Sequence, residues 1–417
     1  MQNRKVTYRM YPGVAQIERL QELLGLHQRV YNTALEERIR TYEETGRSPD
    51  FQVQCKHLTA WRKSCDALNA VNAQSLQVTL KRIDLAYDAF FRRVKAGETP
   101  GFPRFKSLDR YAGWGYKTHG DGFRVLPGEG KRMKHGQVRL SGVGMIKLRG
   151  QARTAGAIKT AEVQHKDGRW YLSVTIECDP VREHGTKAMA LDWGLETFAT
   201  VVSHNAAGKY VTQPIANPRF LDKPQRQKLK ILQQDVSRKT NKRSNSRRKA
   251  VSRLSAESRR IANRRKDFLH KTSASLVKQY GLISTETLNI KNMTANGGAY
   301  KKGLNRGILD TAPASFLNLL KVKAEEAGSL FVEVPTRQVK PSQTCHRCGA
   351  QRKKLLSERK HQCDCGASCS RDENAARVML NWALLGNVTG QELSEVGNGC
   401  YLAVKNHETS SIAACAA

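Results

Sequence analysis

Four cysteines in the last quarter of the chain constrain its fold more than any other feature. Cys345 and Cys348 form a C-x-x-C turn within Lys340-Pro341-Ser342-Gln343-Thr344-Cys345-His346-Arg347-Cys348-Gly349, and Cys363 and Cys365 follow within His361-Gln362-Cys363-Asp364-Cys365-Gly366. A glycine follows each pair, as tight turns that aim four thiolates at one tetrahedral ion require, so the spacing predicts a zinc ribbon over 341–369. The second pair is written C-x-C. Cys369 stands near enough to replace Cys363 or Cys365, with His346 and His361 as weaker substitutes. Directly afterwards, Ser370-Arg371-Asp372-Glu373-Asn374-Ala375-Ala376 sets an aspartate at the opening of a helix.

Charge narrows the partners. Lys and Arg number 71 against 37 Asp and Glu, a formal net charge of +34 over 417 residues, and the excess is clustered. A polyanion is the expected partner. Met1 to Arg9 holds no apolar signal region, and no apolar run is long enough to span a bilayer, so a soluble, intracellular protein without a membrane partner is expected. Ten cysteines in a reducing compartment argue for metal ligation over disulfides, with Cys55, Cys65, Cys178, Cys400 and Cys415 as ordinary thiols.

Along the chain, Ile17, Leu20, Leu24, Val30, Tyr31, Leu35 and Ile39 recur at helical spacing from about Gln16 to Glu44. Leu76, Leu80, Ile83, Tyr87 and Phe90 do so from Ala73 to Lys95. These predict a helical subdomain whose polar positions Asn72, Gln74, Gln77, Lys81 and Arg82 either contact nucleic acid or form a solvated face. From Gly101-Phe102-Pro103-Arg104-Phe105-Lys106 to Ile176, short aromatic and glycine-rich segments read as an antiparallel barrel or sandwich. Cations interleave with aromatics there, as in Phe102/Arg104/Phe105/Lys106 and Trp114/Tyr116/Lys117, which suits either base stacking beside phosphate contact or a barrel core with a soluble exterior.

A new unit opens near Lys187. Ala188 to Gly194 reads as a buried strand ending on Asp192, with Phe198 to Val202 as its hairpin partner. Between Lys223 and Lys271 stand eighteen Lys and Arg against three acids. Val251, Leu254, Ile261, Phe268 and Leu276 give this stretch one apolar seam, predicting a basic helical hairpin over 223–279 that lies along a phosphate backbone. Gly281 to Ile290 reads as a strand delivering Glu286, Thr294 to Arg306 as a mobile Gly- and Lys-rich loop, Ala312 to Ala327 as a helix and Leu330 to Pro335 as a strand. A helix from Asp372 to about Leu385 precedes a weakly ordered tail, 387–417.

Asp192, Glu286 and Asp372 thus stand at strand ends and a helix start, where side chains can converge. Converging carboxylates repel unless cations neutralise them, which implies divalent metal; hard oxygen ligands with room for water suit magnesium. Two such ions about 4 Å apart can activate water and stabilise a leaving oxygen at a phosphodiester. Each acid also has a plain alternative: Asp192 capping a turn, Glu286 pairing with a lysine, Asp372 acting as an N-cap.

Leu191-Asp192-Trp193-Gly194-Leu195, Glu286-Thr287-Leu288-Asn289-Ile290, the Thr344 to Gly366 ribbon and Arg371-Asp372-Glu373-Asn374-Ala375-Ala376 resemble the three RuvC motifs and inserted zinc ribbon of the TnpB family, transposon-encoded RNA-guided DNA endonucleases. The likeness covers nearly the whole chain and is most specific from Ala188 to Ala376. It implies an α+β multidomain protein: a wedge-type β-barrel (1–10 and 100–184), a helical recognition lobe (11–99), and an RNase H-like RuvC nuclease domain (185–340 and 370–386) interrupted by the ribbon. It further implies Asp192, Glu286 and Asp372 as the magnesium-binding catalytic triad, and a guide RNA derived from a transposon end. Double-stranded target DNA would be cut beside a short flanking motif by a monomer on its RNA, in a prokaryotic cytoplasm. Gln74, Gln77, Lys81, Arg104 and Lys106 are the candidate nucleic-acid contacts. A nuclease-inactive RNA-guided repressor, a CRISPR-associated miniature effector and a stand-alone resolvase are the alternatives.

Overall fold

In the computed structural model the described residues are 2–126, 128, 136–150, 156–179, 182–295, 297–355 and 357–386, in two units, Met1–Pro180 and Val181–Ala417. The tail expected over 387–417, with Cys400 and Cys415, lies outside them.

The first unit runs β1 (Gln2–Tyr11), α1 (Val14–Thr45), α2 (Phe51–Lys63), α3 (Asp66–Asn69), α4 (Ala73–Lys95), β2 (Gly113–Tyr116), β3 (Phe123–Leu126), β4 (Gln137–Leu140), β5 (Gly144–Arg149), β6 (Ala157–Lys166) and β7 (Arg169–Cys178). Its strands form one antiparallel sheet in the order β2-β6-β7-β1-β5-β4-β3. Among the described strands no ladder joins its edges, β2 and β3, so the sheet is a half-barrel there. α1 ends where Gly46 takes φ 69°, and α4 starts where Asn72 accepts from the Ser75 amide. Leu20, Leu35, Leu76, Leu80 and Ile83 from these helices share one core with Trp114, Leu140, Ile146 and Leu172 from the sheet. Each such side chain contributes about 1.5–3 kcal/mol on burial.

That packing corrects two expectations. Trp114 and Tyr116 are core residues, 0% and 3% exposed, and offer no surface for base stacking. Arg82 is no free cation, because it donates to Gly113 O and pairs with Glu162. His27 is fully buried, stacked on Trp114 at 5.3 Å with Nδ1 2.8 Å from Thr79 Oγ1. Burial, then the nearby Arg82 charge, pulls its pKa down to about 3.

The second unit runs β8 (Lys187–Trp193), β9 (Thr197–His204), β10 (Tyr210–Ala216), α5 (Lys223–Arg238), α6 (Asn245–Gln279), β11 (Tyr280–Glu286), α7 (Ile290–Ala295), α8 (Ala299–Thr311), α9 (Pro313–Ala327), β12 (Leu330–Val334), α10 (Thr336–Val339), β13 (Lys360–Gln362), β14 (Ser368–Ser370) and α11 (Arg371–Leu385). Five strands make a mixed sheet in the order β10-β9-β8-β11-β12, with β8, β11 and β12 mutually parallel and β9 antiparallel to both β8 and β10. Alternation along the strands divides two cores. Met189, Leu191 and Ile283 pack with α6 and α9, including Leu276, Phe316 and Leu320. Ala190, Val202 and Val334 pack on the opposite side with Ala376, Met379 and Leu380 of α11.

Two expectations are overturned here. The stretch read as a mobile loop, Thr294 to Arg306, is largely helical, ending α7 and forming the start of α8. Its glycines suggested a loop, but Ile308, Asp310 and Thr311 at the end of α8 are buried and hold the helix in place. The α6 seam also omits Val251, which is 41% exposed. It runs through Ala250, Leu254, Glu257 and Ile261 at 3–4-residue steps, leaving Val251 about 100° off the packed face. Buried Glu257 accepts from Lys228 of α5 at 3.0 Å, joining the two basic helices.

Candidate active site and metal centre

Strand alternation decides where the first two acids point. Ala190 faces α11, so Asp192, two residues on, shares that face. Ser284 Oγ donates to Met379 O of α11, so Glu286, two residues on, shares it too. Thr285 stands opposite Leu191 in the parallel ladder, which sets Glu286 beside Asp192 at adjacent strand ends. Open α/β sheets gather ligands at such carboxyl ends. α11 begins over the same edge. Its N-cap is Ser370, whose hydroxyl accepts from the Glu373 amide, so Asp372 lies in the first turn with its carboxylate free of the capping role.

Gly194, just past Asp192, permits the approach. A Cβ there would lie 2.7 Å from Thr197 O and 3.8 Å from Asp372 Oδ2. Asp192 is pushed well above the usual carboxylate range by burial, then by the charges of Glu286 and Asp372, with Arg371 opposing. Glu286 is raised to about 7 by burial and by Asp372. Asp192 and Glu286 thus sit against one another and the Asp372 carboxylate with little opposing positive charge, the electrostatic condition a divalent cation relieves.

The cysteines form a second centre. The thiols of Cys345, Cys348, Cys363 and Cys365 all lie within 4.8 Å of one another, and Cys369 is not among them. Cys345 and Cys365 are 3.7 Å apart and Cys348 and Cys363 3.5 Å. A tetrahedral ion with Zn–S of about 2.3 Å needs S–S edges of about 3.8 Å, so this cluster fits a metal ion. The Cys365 amide, then the Cys348 thiol, stabilises the Cys363 thiolate and draws its pKa to about 7. Among the described residues the other group of such ligands within 4.8 Å is Cys345, His346 and His361.

Asn374 of α11 bolts the first cysteine turn to the helix that carries Asp372. Its Nδ2 donates to Thr344 O, and its Oδ1 accepts from the His346 amide and from His346 Nδ1. Asn381 Nδ2 donates to His346 O two turns further along.

The candidate nucleic-acid residues lie in the first unit. Gln74, Gln77 and Lys81 share a face of α4; both glutamines are half-buried, and Lys81 is exposed and pairs with Asp84 at 2.5 Å. Arg104 and Lys106 follow in the segment before β2, where Asn32 and Gln28 accept and donate at the Lys106 backbone. Sequence reasoning missed Arg371, whose charge acts on Asp192, and a cavity of about 770 Å³ bordered by Arg265, Lys302, Arg306 and Asp310. Arg371 adjoins Asp372 in sequence and could have been weighed; the cavity depends on α8 being a helix.

Three family models match this chain: "Helix-turn-helix domain" over residues 1–47, "Probable transposase" over 171–297, and "Cas12f1-like, TNB domain" over 314–379. The first segment folds here as β1 and one continuous helix, α1. Among solved structures, the Cas12f1 chain of a Cas12f1-sgRNA-target DNA complex superposes with a TM-score of 0.54 at 14% identity, over 87% of this chain and 82% of that one. The fold is therefore of the Cas12f1 kind. A Streptomyces pristinaespiralis protein named "Putative RNA-guided DNA endonuclease" is 30% identical over 398 residues, 93% of this chain and 91% of its own. "Putative RNA-guided DNA endonuclease InsQ" of Escherichia coli (strain K12) is 28% identical, over 89% and 90%. With the Streptomyces pristinaespiralis relative 30% identical over nearly its full length, the chain belongs to the TnpB family. No described helix is long and apolar enough to cross a membrane.

Proposed function

We propose that this protein is an RNA-guided, magnesium-dependent endonuclease that cuts double-stranded DNA beside a short flanking motif. The observation that carries the reading is the convergence of Asp192, Glu286 and Asp372 on one sheet edge, where burial and the neighbouring carboxylate charges push the Asp192 and Glu286 carboxyls up. The names of the relatives support the same substrate and guide.

In this reading the 185–340 and 370–386 segments are a RuvC-like nuclease domain, 341–369 a zinc ribbon, 1–10 and 100–184 a wedge domain, and 11–99 a recognition lobe. Divalent ions bound by the three acids supply an activated water on one side of the phosphodiester and charge stabilisation of the leaving oxygen on the other. The protein does the positioning. β8 and β11 fix Asp192 and Glu286 on rigid strand ends, and Asn374 and the α11 core fix Asp372. Cys345, Cys348, Cys363 and Cys365 hold structural zinc. The basic helices α5 and α6, with Lys302 and Arg306 on α8, take phosphates of the guide or target, while Gln74, Gln77, Lys81, Arg104 and Lys106 contact nucleic acid in the first unit. Sequence choice is delegated to base pairing.

The test is to purify the protein with RNA expressed from its own flanking DNA and challenge it, in magnesium, with a plasmid library matching the guide. Guide-dependent linearisation supports the reading. Guided binding without cutting would replace it with a repressor, and guide-independent cutting with a resolvase.

A further inference from the structure

Beside the cysteine cluster lies a buried cation that touches no carboxylate among the described residues. Lys354 is 7% exposed, and its ammonium donates to Ser342 O at 3.1 Å and to His361 Nδ1 at 2.6 Å. No acid pairs with it among the described residues. Lysine is almost never buried this deeply without an anionic partner, because desolvating an unpaired charge costs several kcal/mol.

The hydrogen bonds fix what His361 can do. An ammonium has three donors and no acceptor, so His361 Nδ1 must accept and the ring proton sits on Nε2. That Nε2 is buried and has no partner. A buried donor left without a partner is costly, and a nearby thiolate ligand of a metal ion would satisfy it. A ring nitrogen of His361 and one of His346 lie within 4.8 Å of Cys345 Sγ. His346 is otherwise engaged. Its Nδ1 meets Asn374 Oδ1 at 3.0 Å and its Nε2 meets Arg377 Nη1 at 3.1 Å. Neither imidazole therefore offers a free lone pair to a metal, and His361 alone offers a free N–H.

We infer that Lys354 and His361 form a buried positioning pair for the cysteine-bound metal, supplying the counter-charge and a hydrogen bond to the Cys345 thiolate that a four-thiolate divalent site requires. A divalent ion with four thiolates carries two net negative charges; Lys354 offsets one of them, and the His361 ring transmits that positive field through its Nε2–H. Outer partners of this kind orient ligands and hold metal. Cys369, opposite His361 in the β13–β14 ladder, lies outside the four-thiol cluster, and burial pushes its thiol up.

The inference rests on the zinc reading, and the experiment separates the two. The full chain is loaded with zinc, and its transfer to a chromophoric chelator is timed for wild type, Lys354→Met, His361→Phe, His361→Gln and Cys369→Ser. Cobalt-loaded samples give the thiolate-to-metal charge-transfer band, and circular dichroism checks folding. Lys354→Met and His361→Phe are expected to release zinc about ten- to a hundredfold faster and to shift the band to lower energy. His361→Gln, whose amide can accept from Lys354 and donate to sulfur, restores both readouts, and Cys369→Ser matches wild type. If Lys354→Met does not fold, the contrast between His361→Phe and His361→Gln decides. Wild-type release and an unmoved band in His361→Phe would overturn the pairing while leaving the metal centre standing. A wild type that takes up neither zinc nor cobalt would overturn both.

Discussion

The thiol cluster and the carboxylate cluster of the second unit solve opposite problems. Four thiols can sit within 4.8 Å of one another, with two pairs at 3.5 and 3.7 Å, because thiols repel little and can share protons. Carboxylates gathered at one sheet edge repel, so burial and the neighbouring charges push Asp192 and Glu286 up, the strain a bound cation would relieve. The first cluster is assembled by turns within 21 residues, the second by a sheet and helix spanning residues 192 to 372. Local chain geometry builds a resident structural site; long-range topology builds a site whose charge must be balanced from outside.

The strongest way to break this contrast is selective metal removal. Stripping magnesium alone is expected to lower the cleavage rate at least about a thousandfold, roughly 4 kcal/mol of barrier, reversibly and with zinc retained. Loss of zinc on the same treatment would show the two centres are not distinct. Next in size is Cys345→Ser, at a position 0% exposed. Zinc affinity should fall at least about a hundredfold, measured by metal content, and amide protection should drop along α11 through the Asn374 contacts. Unchanged protection would mean the ribbon does not brace Asp372.

Acidity sharpens the comparison. Glu286 has its pKa raised from 4.5 to about 7, so the metal-free fold loses stability as pH rises from about 4.5 through 7, and cation binding must displace the proton. Manganese affinity, followed by calorimetry, is expected to fall at least about tenfold per pH unit as pH drops below 7. His27 in the first unit works with the opposite sign. Its pKa is depressed from 6.5 to about 3, so the stability it confers is complete above 6.5 and is lost as pH falls, by up to about 1.4 kcal/mol per unit. Acid melts of His27→Phe should show a flatter slope than wild type between pH 6.5 and 4, the smallest of these effects.

What could be read from the residues follows the same division. The cysteine spacing was sufficient to place the thiols, and only the choice between Cys363, Cys365 and Cys369 needed coordinates. The amphipathic helices α1, α4 and α9 were legible because their apolar faces pack on a single core. α2 went unread, although Asp50 caps it and Leu58 is buried, because its other inward residue is the polar Gln54, held by Arg38 and Ala34 O. α8 was misread because Gly297, Gly298, Gly303 and Gly307 outweigh its propensity, and tertiary burial at its far end decides. The acids were visible at strand ends, but their shared face depends on the β8–β11 register and on α11 crossing the same edge, which no local pattern encodes.

The most direct test is the rate at which a guide-matched plasmid is linearised in magnesium by wild type, Asp192→Ala, Glu286→Gln and Asp372→Asn, with bound RNA measured in each. The account predicts that all three variants keep their RNA and fold while losing cutting at least about a thousandfold. Near-wild-type cutting by any one of them would contradict the three-carboxylate site.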